Sequence, residues 1–130
     1  MKKTLLAMAF AVVGSAAFGA DAVEGMWKTV ADDNGNSGMI KVAPCGDMFC
    51  GVLVKSFDKD GKDMKSENIG KQIIWDMKAE GDGNYGGGKI WAPDRDKTYD
   101  SKMILSGDSL TVKGCVFFIC RDGGTWTRAN

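Results

Sequence analysis

The sequence predicts an all-β protein, a small eight-stranded antiparallel up-and-down β-barrel. Three observations support this fold. Apolar and polar residues alternate with a period of two along short runs, which is typical of strands with one face in water. Turn-forming residues separate these runs at regular intervals. No run beyond the N-terminal segment has a helical period. Eight such strands are enough for a small closed barrel.

The N-terminal residues have the pattern of a secretory signal peptide. Lys2 and Lys3 form a basic start, Leu5 to Val13 is an apolar run too short to span a membrane, and small residues follow. We prefer cleavage after Gly19, with cleavage after Ala22 as the alternative. The sequence therefore predicts a protein that is exported to the periplasm or secreted.

Removal of residues 1–19 leaves a single β-barrel domain, residues 20–130, with a modest core. This domain has 15 basic and 17 acidic residues, a net charge of −2. A nucleic acid or an anionic membrane surface would need a basic partner. We therefore expect no nucleic-acid partner and no membrane span, and we do not expect membrane binding as the main role.

Four cysteines occur as two pairs of equal spacing, Cys45/Cys50 and Cys115/Cys120. An even number of cysteines in an exported chain predicts disulfides. Of the three pairings that four cysteines allow, we favour the two local ones, each of which brackets a hairpin tip. A loop this short gains only about 2 kcal/mol from the chain-entropy effect. The two bonds are therefore expected mainly to fix loop shape.

Eight candidate strands follow one another along the chain, each bounded by turn-forming residues. They are Gly25–Val30, Met39–Ala43, Gly51–Phe57, Gln72–Lys78, Gly87–Ala92, Thr98–Leu105, Ser109–Gly114 and Thr125–Arg128. The central hairpin runs from Gly86 to Leu105 around a turn at Pro93 to Lys97. Its three glycines, from Gly86 to Gly88, indicate a strand bend or bulge.

Alternation assigns one parity of most strands to the barrel interior. The predicted inward-facing residues are Ile40, Val42, Ile73, Trp75, Met77, Tyr99, Ser101, Met103, Leu105, Leu110 and Val112. The run Gly51–Phe57 is apolar on both parities, so its orientation stays undecided.

Few residues are suited to catalysis or metal binding. The sequence has no histidine, which removes the commonest general base and metal ligand. The acidic residues fall mostly in turns. We therefore expect no enzymatic activity, no catalytic residue, no cofactor and no metal.

Two motif-like segments are interpreted as turns. Ser56 to Glu67 resembles a calcium loop with Gly61 at its sixth position, but Ser56 stands where the first aspartate belongs and no helices flank the segment. Gly81 to Gly86 matches Gly-x-Gly-x-x-Gly, but a strand follows it instead of the helix that a dinucleotide site needs.

The two ends of the chain carry a Gly-x-Trp start, Gly25 to Trp27, and a late Arg128. In a closed barrel the first and last strands are neighbours, so Arg128 can lie across the Trp27 indole in a cation–π contact. We therefore assign Gly25, Trp27 and Arg128 structural roles. The pattern resembles that of the lipocalins and the wider calycin group.

The chain after the signal peptide resembles domain-of-unknown-function family 2147, a family of small exported bacterial proteins. The matching segments are Gly25 to Thr29, Cys45 to Gly51, Gly87 to Pro93, Lys97 to Tyr99, Gly114-Cys115 and Thr125 to Arg128. One departure is Asp96, where glycine is expected in the turn before Lys97. The resemblance implies a lipocalin-like barrel outside the cytoplasm and no known activity.

Two functions from different classes fit these features. The first is non-catalytic binding of a small, partly apolar ligand inside the barrel. Its candidate lining residues, chosen by parity and aromatic character, are Trp75, Tyr99, Met103 and Trp126, for which ordinary core packing is an equal alternative.

The second function is a cell-envelope structural or interaction module that binds another envelope protein through its loops and outer surface. Apolar residues at the two predicted disulfide-bonded tips, Met48 and Phe49 at one and Val116 to Ile119 at the other, would then be contact sites.

Overall fold

The computed structural model of the protein describes residues 21–129, and the signal peptide predicted for residues 1–19 lies outside them. The described fold contains nine β-strands. They are β1 (Gly25–Lys28), β2 (Ser37–Cys45), β3 (Met48–Phe57), β4 (Asp63–Met64), β5 (Gln72–Gly81), β6 (Asn84–Ala92), β7 (Lys97–Ser106), β8 (Ser109–Val116) and β9 (Ile119–Arg128).

Eight of these strands close into an antiparallel barrel. Each pairs with its neighbours along the chain, and β9 returns to β1 through the pairs Trp27↔Arg128 and Lys28↔Thr127. The two-residue β4 pairs only with the end of β3, outside the ring. The predicted eight-stranded up-and-down barrel is therefore confirmed.

Alternating strand direction gives the barrel two different ends. The β1–β2, β3–β5, β6–β7 and β8–β9 connections meet at one end, here called the open end. The three remaining turns lie at the opposite, closed end, together with the segment Asp21–Glu24 that precedes β1. Across residues 21–129, no helix is long and apolar enough to cross a membrane.

The core fills the closed half of the barrel. Its fully buried side chains include Trp27, Met77, Met103 and Leu110. The predicted inward parity is confirmed in β2, β7 and β8, since Ile40, Val42, Ser101, Met103, Leu110 and Val112 are all buried.

Of the three residues predicted to face inward in β5, Ile73 and Met77 are buried as expected, but the prediction for Trp75 is wrong. Ile73 and Ile74 are both buried, because the pairing with β3 passes from Val52↔Gln72 to Gly51↔Ile74 and leaves Ile73 as an extra residue. This bulge moves Ile74 inward and Trp75 outward. Trp75 consequently pairs with the exposed Lys89 on the outside of the barrel. A second register shift, between Gly51↔Ile74 and Phe49↔Met77, accompanies a positive φ of 55° at Asp76 and returns Met77 to the interior.

Bulges in β3 and β6 explain two features that the alternation of apolar and polar residues left undecided. In β3, the register with β2 shifts between Met39 and Ile40, so Leu53 and Ser56 are both buried although they are three residues apart. In β6, a register shift between Tyr85 and Gly88 accompanies a positive φ of 73° at Gly87. The bulge predicted at the three glycines is thus confirmed.

Aspartate residues determine the backbone shape of two loops. Asp96 has a φ of 51°, which explains why glycine suits this position and why aspartate, which tolerates left-handed backbone, can replace it. In the segment that resembles a calcium loop, the Asp58 carboxylate accepts hydrogen bonds from the backbone N–H groups of Asp60 and Lys62. Asp58 therefore closes a local turn.

Both favoured disulfides, Cys45–Cys50 and Cys115–Cys120, are present. The first crosses the β2–β3 hairpin at the closed end, and the second crosses the β8–β9 hairpin at the open end. The expected exposure of Phe49 is wrong, because its ring packs edge-on against the buried Tyr85 at 5.9 Å.

Arg128 closes the floor of the barrel. Its guanidinium lies 4.3 Å from the centroid of the fully buried Trp27 ring, as the cation–π interpretation of the two chain ends predicts. It also donates hydrogen bonds to the backbone carbonyls of Ala22 and Glu24. One side chain therefore links β9, β1 and the Asp21–Glu24 segment.

Two further contacts hold the Asp21–Glu24 segment in place. The Trp27 Nε1–H donates to the Val23 carbonyl at 2.9 Å, and the Tyr85 hydroxyl donates to Asp21 Oδ1 at 2.5 Å. Burial raises the pKa of Tyr85 above its usual range, and the Asp21 carboxylate raises this pKa further. Tyr85 therefore stays a hydrogen-bond donor at physiological pH.

Replacement of Arg128 by alanine is expected to lower the free energy of unfolding by about 2–3 kcal/mol, from the lost cation–π contact and two lost charge-assisted hydrogen bonds. Asp108→Ala is the matched control. It removes only an exposed ion pair to the same guanidinium, which is worth roughly 0.5 kcal/mol. Urea unfolding followed by tryptophan fluorescence measures both. Equal effects of the two variants would contradict this account of the floor.

Candidate functional site

The open half of the barrel contains a cavity of about 930 Å³. It extends from the interior to the loops at the open end, which form its mouth. Its inner wall is mainly apolar and is formed by Ile40, Leu53, Ile73, Ile90, Val112 and Trp126. A cavity of this size and character is in the range of sites that bind small molecules.

The cavity exists because the upper interior lacks the large side chains that fill the floor. Gly38 and Gly114 occupy interior positions on its wall. A Cβ atom at Gly38 would lie 2.7 Å from Leu53 Cδ1, so glycine is needed for Leu53 to keep its position. A Cβ atom at Gly114 would lie 3.4 Å from the Tyr99 Cβ, which shows that Tyr99 lies close to β8.

The four candidate ligand-binding residues occupy three different places. Tyr99 and Trp126 line the cavity. Met103 is on the same face of β7 as Tyr99 but four residues closer to the floor, where it is buried in the core. Trp75 is half-buried on the outside of the barrel. The structure thus brings Tyr99 and Trp126 together at one cavity and separates the other two from it.

Polar groups are concentrated at the mouth of the cavity. Arg95 and Arg121 both line it, together with Asp94 and Asp122. A hydrogen bond with the Tyr99 hydroxyl, and then the charge of Asp94, raise the pKa of Arg95. Asp32 and Asp33 also line the mouth, which therefore offers charges of both signs above an apolar interior.

Ser56 is the polar exception within the inner wall. Only 7% of its surface is exposed, and its hydroxyl has no hydrogen-bond partner among the side chains and backbone groups of residues 21–129. Buried hydroxyls are normally paired, and the Ser56 hydroxyl borders the cavity, so its partner can come from a molecule inside the cavity. The other buried serine, Ser101, follows this rule, since its hydroxyl donates to the Lys113 carbonyl at 2.8 Å.

The candidate ligand-binding residues predicted from the sequence did not include Ser56 or the aliphatic side chains of the wall. Parity placed Ile40, Ile73 and Val112 inside the barrel but could not tell core from cavity. Leu53 and Ser56 lie in the strand whose orientation was undecided. Ile90 could have been found from its place between the bulged glycines and the turn, since it pairs with Tyr99.

Trp91, also missed, is fixed at the rim of the cavity. Its Nε1–H donates to Asp96 Oδ1 at 2.9 Å, and the Lys71 ammonium lies 5.6 Å from its ring centroid. The ring therefore joins the β6–β7 turn to the long β3–β5 connection. The position of the ring at this rim depends on Asp96, which is the residue that departs from the expected glycine.

Chemically, this arrangement is suited to hold a molecule with an apolar body and a polar end. Within residues 21–129, no three potential metal-ligating side chains converge. The site consists of a mainly apolar wall, one hydroxyl without a partner among the described residues, and charged groups of both signs at the mouth.

Comparison with known proteins bears on the family and the fold. A family model described as "Uncharacterized protein conserved in bacteria (DUF2147)" matches residues 25–128. A comparison with curated proteins finds no match. A solved structure from Helicobacter pylori, described as protein HP1028 and as belonging to the lipocalin family, is similar to this chain with a TM-score of 0.69. The two are 16% identical, and the match covers 85% of each chain, so the likeness confirms the lipocalin-like fold.

Alanine substitutions at Met103 and Tyr99 distinguish a position in the packed core from one on the cavity wall. Met103→Ala is expected to lower the free energy of unfolding by roughly 2–5 kcal/mol, because it leaves a void in a packed core. Tyr99→Ala should cost less than about 2 kcal/mol, because its ring already borders open space. Chemical denaturation measures both values. A larger loss for Tyr99→Ala would mean that the upper interior is packed like the floor.

Proposed function

The chain belongs to the DUF2147 family, described as uncharacterized proteins conserved in bacteria, and we propose that its barrel binds a small, partly apolar molecule without catalysing a reaction. The observation that carries this proposal is the apolar cavity of about 930 Å³ above a closed floor. A filled interior would have left no such volume in a barrel of eight strands.

The character of the wall supports an apolar body for the ligand. Aliphatic side chains from five strands and the indole of Trp126 surround the inner volume. Transfer of apolar ligand surface from water to such a wall contributes about 25 cal/mol per Å². The floor held by Arg128 would keep the lower end of the ligand out of contact with water.

Polar groups in two places support a ligand that is not purely apolar. The Ser56 hydroxyl is unpaired inside the wall, and Arg95 and Arg121 stand at the mouth. A few well-placed polar groups in an apolar pocket fix ligand orientation and give specificity. We propose that Ser56 forms a hydrogen bond with the bound molecule.

We also propose that the protein works in the periplasm or outside the cell. The two disulfides support this location, because such bonds persist in oxidising compartments. The contacts of Asp21 and Ala22 with Tyr85 and Arg128 support cleavage after Gly19, since cleavage after Ala22 would remove both residues from the floor.

Ser56→Ala is expected to weaken ligand binding without weakening the fold. With N-phenyl-1-naphthylamine as an apolar fluorescent probe, affinity should fall about fivefold, equivalent to a hydrogen bond of about 1 kcal/mol. The free energy of unfolding should stay within about 0.5 kcal/mol of the wild-type value, because the hydroxyl has no partner within the protein that the substitution would remove.

Ser101→Ala is the matched control for this experiment. It removes a paired hydroxyl from the core, so it should cost about 1 kcal/mol of stability and leave probe affinity unchanged. Fluorescence titration and urea unfolding give both quantities for each variant. Absence of probe uptake by the wild-type protein would argue against the binding function itself.

The mass of the protein recovered from the periplasmic fraction tests the proposed location and cleavage site. We expect a chain that begins at Ala20 and carries two intact disulfides, each of which lowers the mass by two hydrogens. Intact-mass spectrometry with and without reduction measures both features. A chain that begins at Val23, or one found only in the cytoplasm with Met1 retained, would contradict the proposal.

A further inference from the structure

Exposed apolar side chains are concentrated at the open end of the barrel. Among the described residues, seven large apolar side chains are exposed, and six of them lie at this end: Val30, Ile69, Val116, Phe117, Phe118 and Ile119. Only Ile104, on the outer face of β7, lies elsewhere. Scattered exposed apolar residues are ordinary, whereas a clustered set marks an interaction surface.

The centre of this cluster is the tip of the β8–β9 hairpin, Val116 to Ile119, here called the apolar tip. Phe118 is 100% exposed, Phe117 86% and Ile119 70%. Phe117 and Phe118 form the two-residue turn beyond Val116↔Ile119, the last pair of the β8–β9 ladder. A narrow apolar tip is suited to enter a deformable apolar phase more than to pair with a flat protein surface.

The apolar tip is held in a fixed shape. The Cys115–Cys120 disulfide crosses the hairpin directly below it. Phe117 has a φ of 57°, a left-handed backbone that bulky residues rarely adopt. Unfavourable backbone of this kind persists where the surrounding structure enforces it, often at functional positions. The backbone of the hairpin therefore holds these rings in an exposed position.

Charges of both signs lie next to the apolar tip. The segment from Lys113 to Arg121 contains no acidic residue and has a basic residue at each end, but Asp122 follows Arg121 and pairs with Lys113 across the hairpin. Arg121 lines the mouth of the cavity, while Lys113 lies on the opposite parity of β8 from the cavity-lining Val112 and Gly114. The net charge of −2 excludes binding by overall attraction to an anionic surface, but insertion of apolar side chains does not depend on it.

We propose that the apolar tip inserts into the surface of a phospholipid bilayer and so docks the open end of the barrel on a membrane. This inference goes beyond the proposed binding function. Val116, Phe117 and Ile119 also line the mouth of the cavity, so a bilayer that receives the tip would lie against the opening. An apolar molecule could then pass between bilayer and cavity with little exposure to water.

Vesicle flotation tests the docking with the oxidised protein. Vesicles of phosphatidylethanolamine and phosphatidylglycerol should carry the wild-type protein upward in a density gradient. Phe118→Ser should lower the partition coefficient about tenfold or more, from the loss of one buried aromatic side chain. Ile104→Ser is the matched control, an exposed apolar residue away from the tip, and should leave flotation unchanged.

Probe binding separates this inference from the proposed function. Phe118 does not line the cavity, so Phe118→Ser should bind N-phenyl-1-naphthylamine in solution like the wild type. Insertion can be seen directly with Phe118→Trp, whose added fluorescence should shift to the blue and be quenched by brominated lipids. The four native tryptophans, measured in the wild-type protein, provide the background.

Three results would overturn the docking proposal. One is a wild-type protein that does not float with vesicles at millimolar lipid. Another is flotation that Phe118→Ser leaves unchanged. The third is a dimer in sedimentation analysis that Phe118→Ser dissociates while vesicles bind neither form, which would assign the tip to a second copy of the chain.

Discussion

The fold depends on the closure of β9 onto β1 by Arg128. These two strands share only two residue pairs, so the ladder between them is the shortest in the ring. The Arg128 side chain compensates by stacking on Trp27 and by donating to two carbonyls of the segment that precedes β1. A guanidinium can do both at once, since its face meets the indole while its edge donates. The floor is thereby complete, and the upper half of the barrel can remain open.

Much of this architecture follows from the sequence alone, because it depends on local patterns. Alternation in β2, β7 and β8 fixed which side chains are inside, and the Trp27–Arg128 pair followed from barrel closure. The error in β5 had a different cause. A bulge is created by the register of two strands, and nothing in the sequence around Ile73 and Ile74 indicates it. Trp75 therefore moved to the outside, although its aromatic character favoured the interior.

The site was less predictable than the fold for a geometric reason. Parity tells which face of a strand points inward, but it does not tell how far along the barrel axis a residue lies. Tyr99 and Met103 share one face of β7, yet four residues of rise, about 13 Å, separate the cavity wall from the packed floor. Ser56 was hidden by the bulge in β3. That its hydroxyl has no protein partner can be recognised only when the positions of the surrounding side chains are known.

The two disulfides differ in how strongly the shape of their hairpins depends on them, one at the closed end and one at the open end of the barrel. At the closed end, the Cys45–Cys50 hairpin already has a packed ring, Phe49 against Tyr85, so side-chain contacts support its shape. The β8–β9 hairpin has no such support, since every residue from Val116 to Ile119 is exposed. Its shape therefore depends on the Cys115–Cys120 bond in a way that the opposite hairpin does not. The geometry of the cavity mouth therefore requires an oxidising compartment, in which the Cys115–Cys120 bond persists.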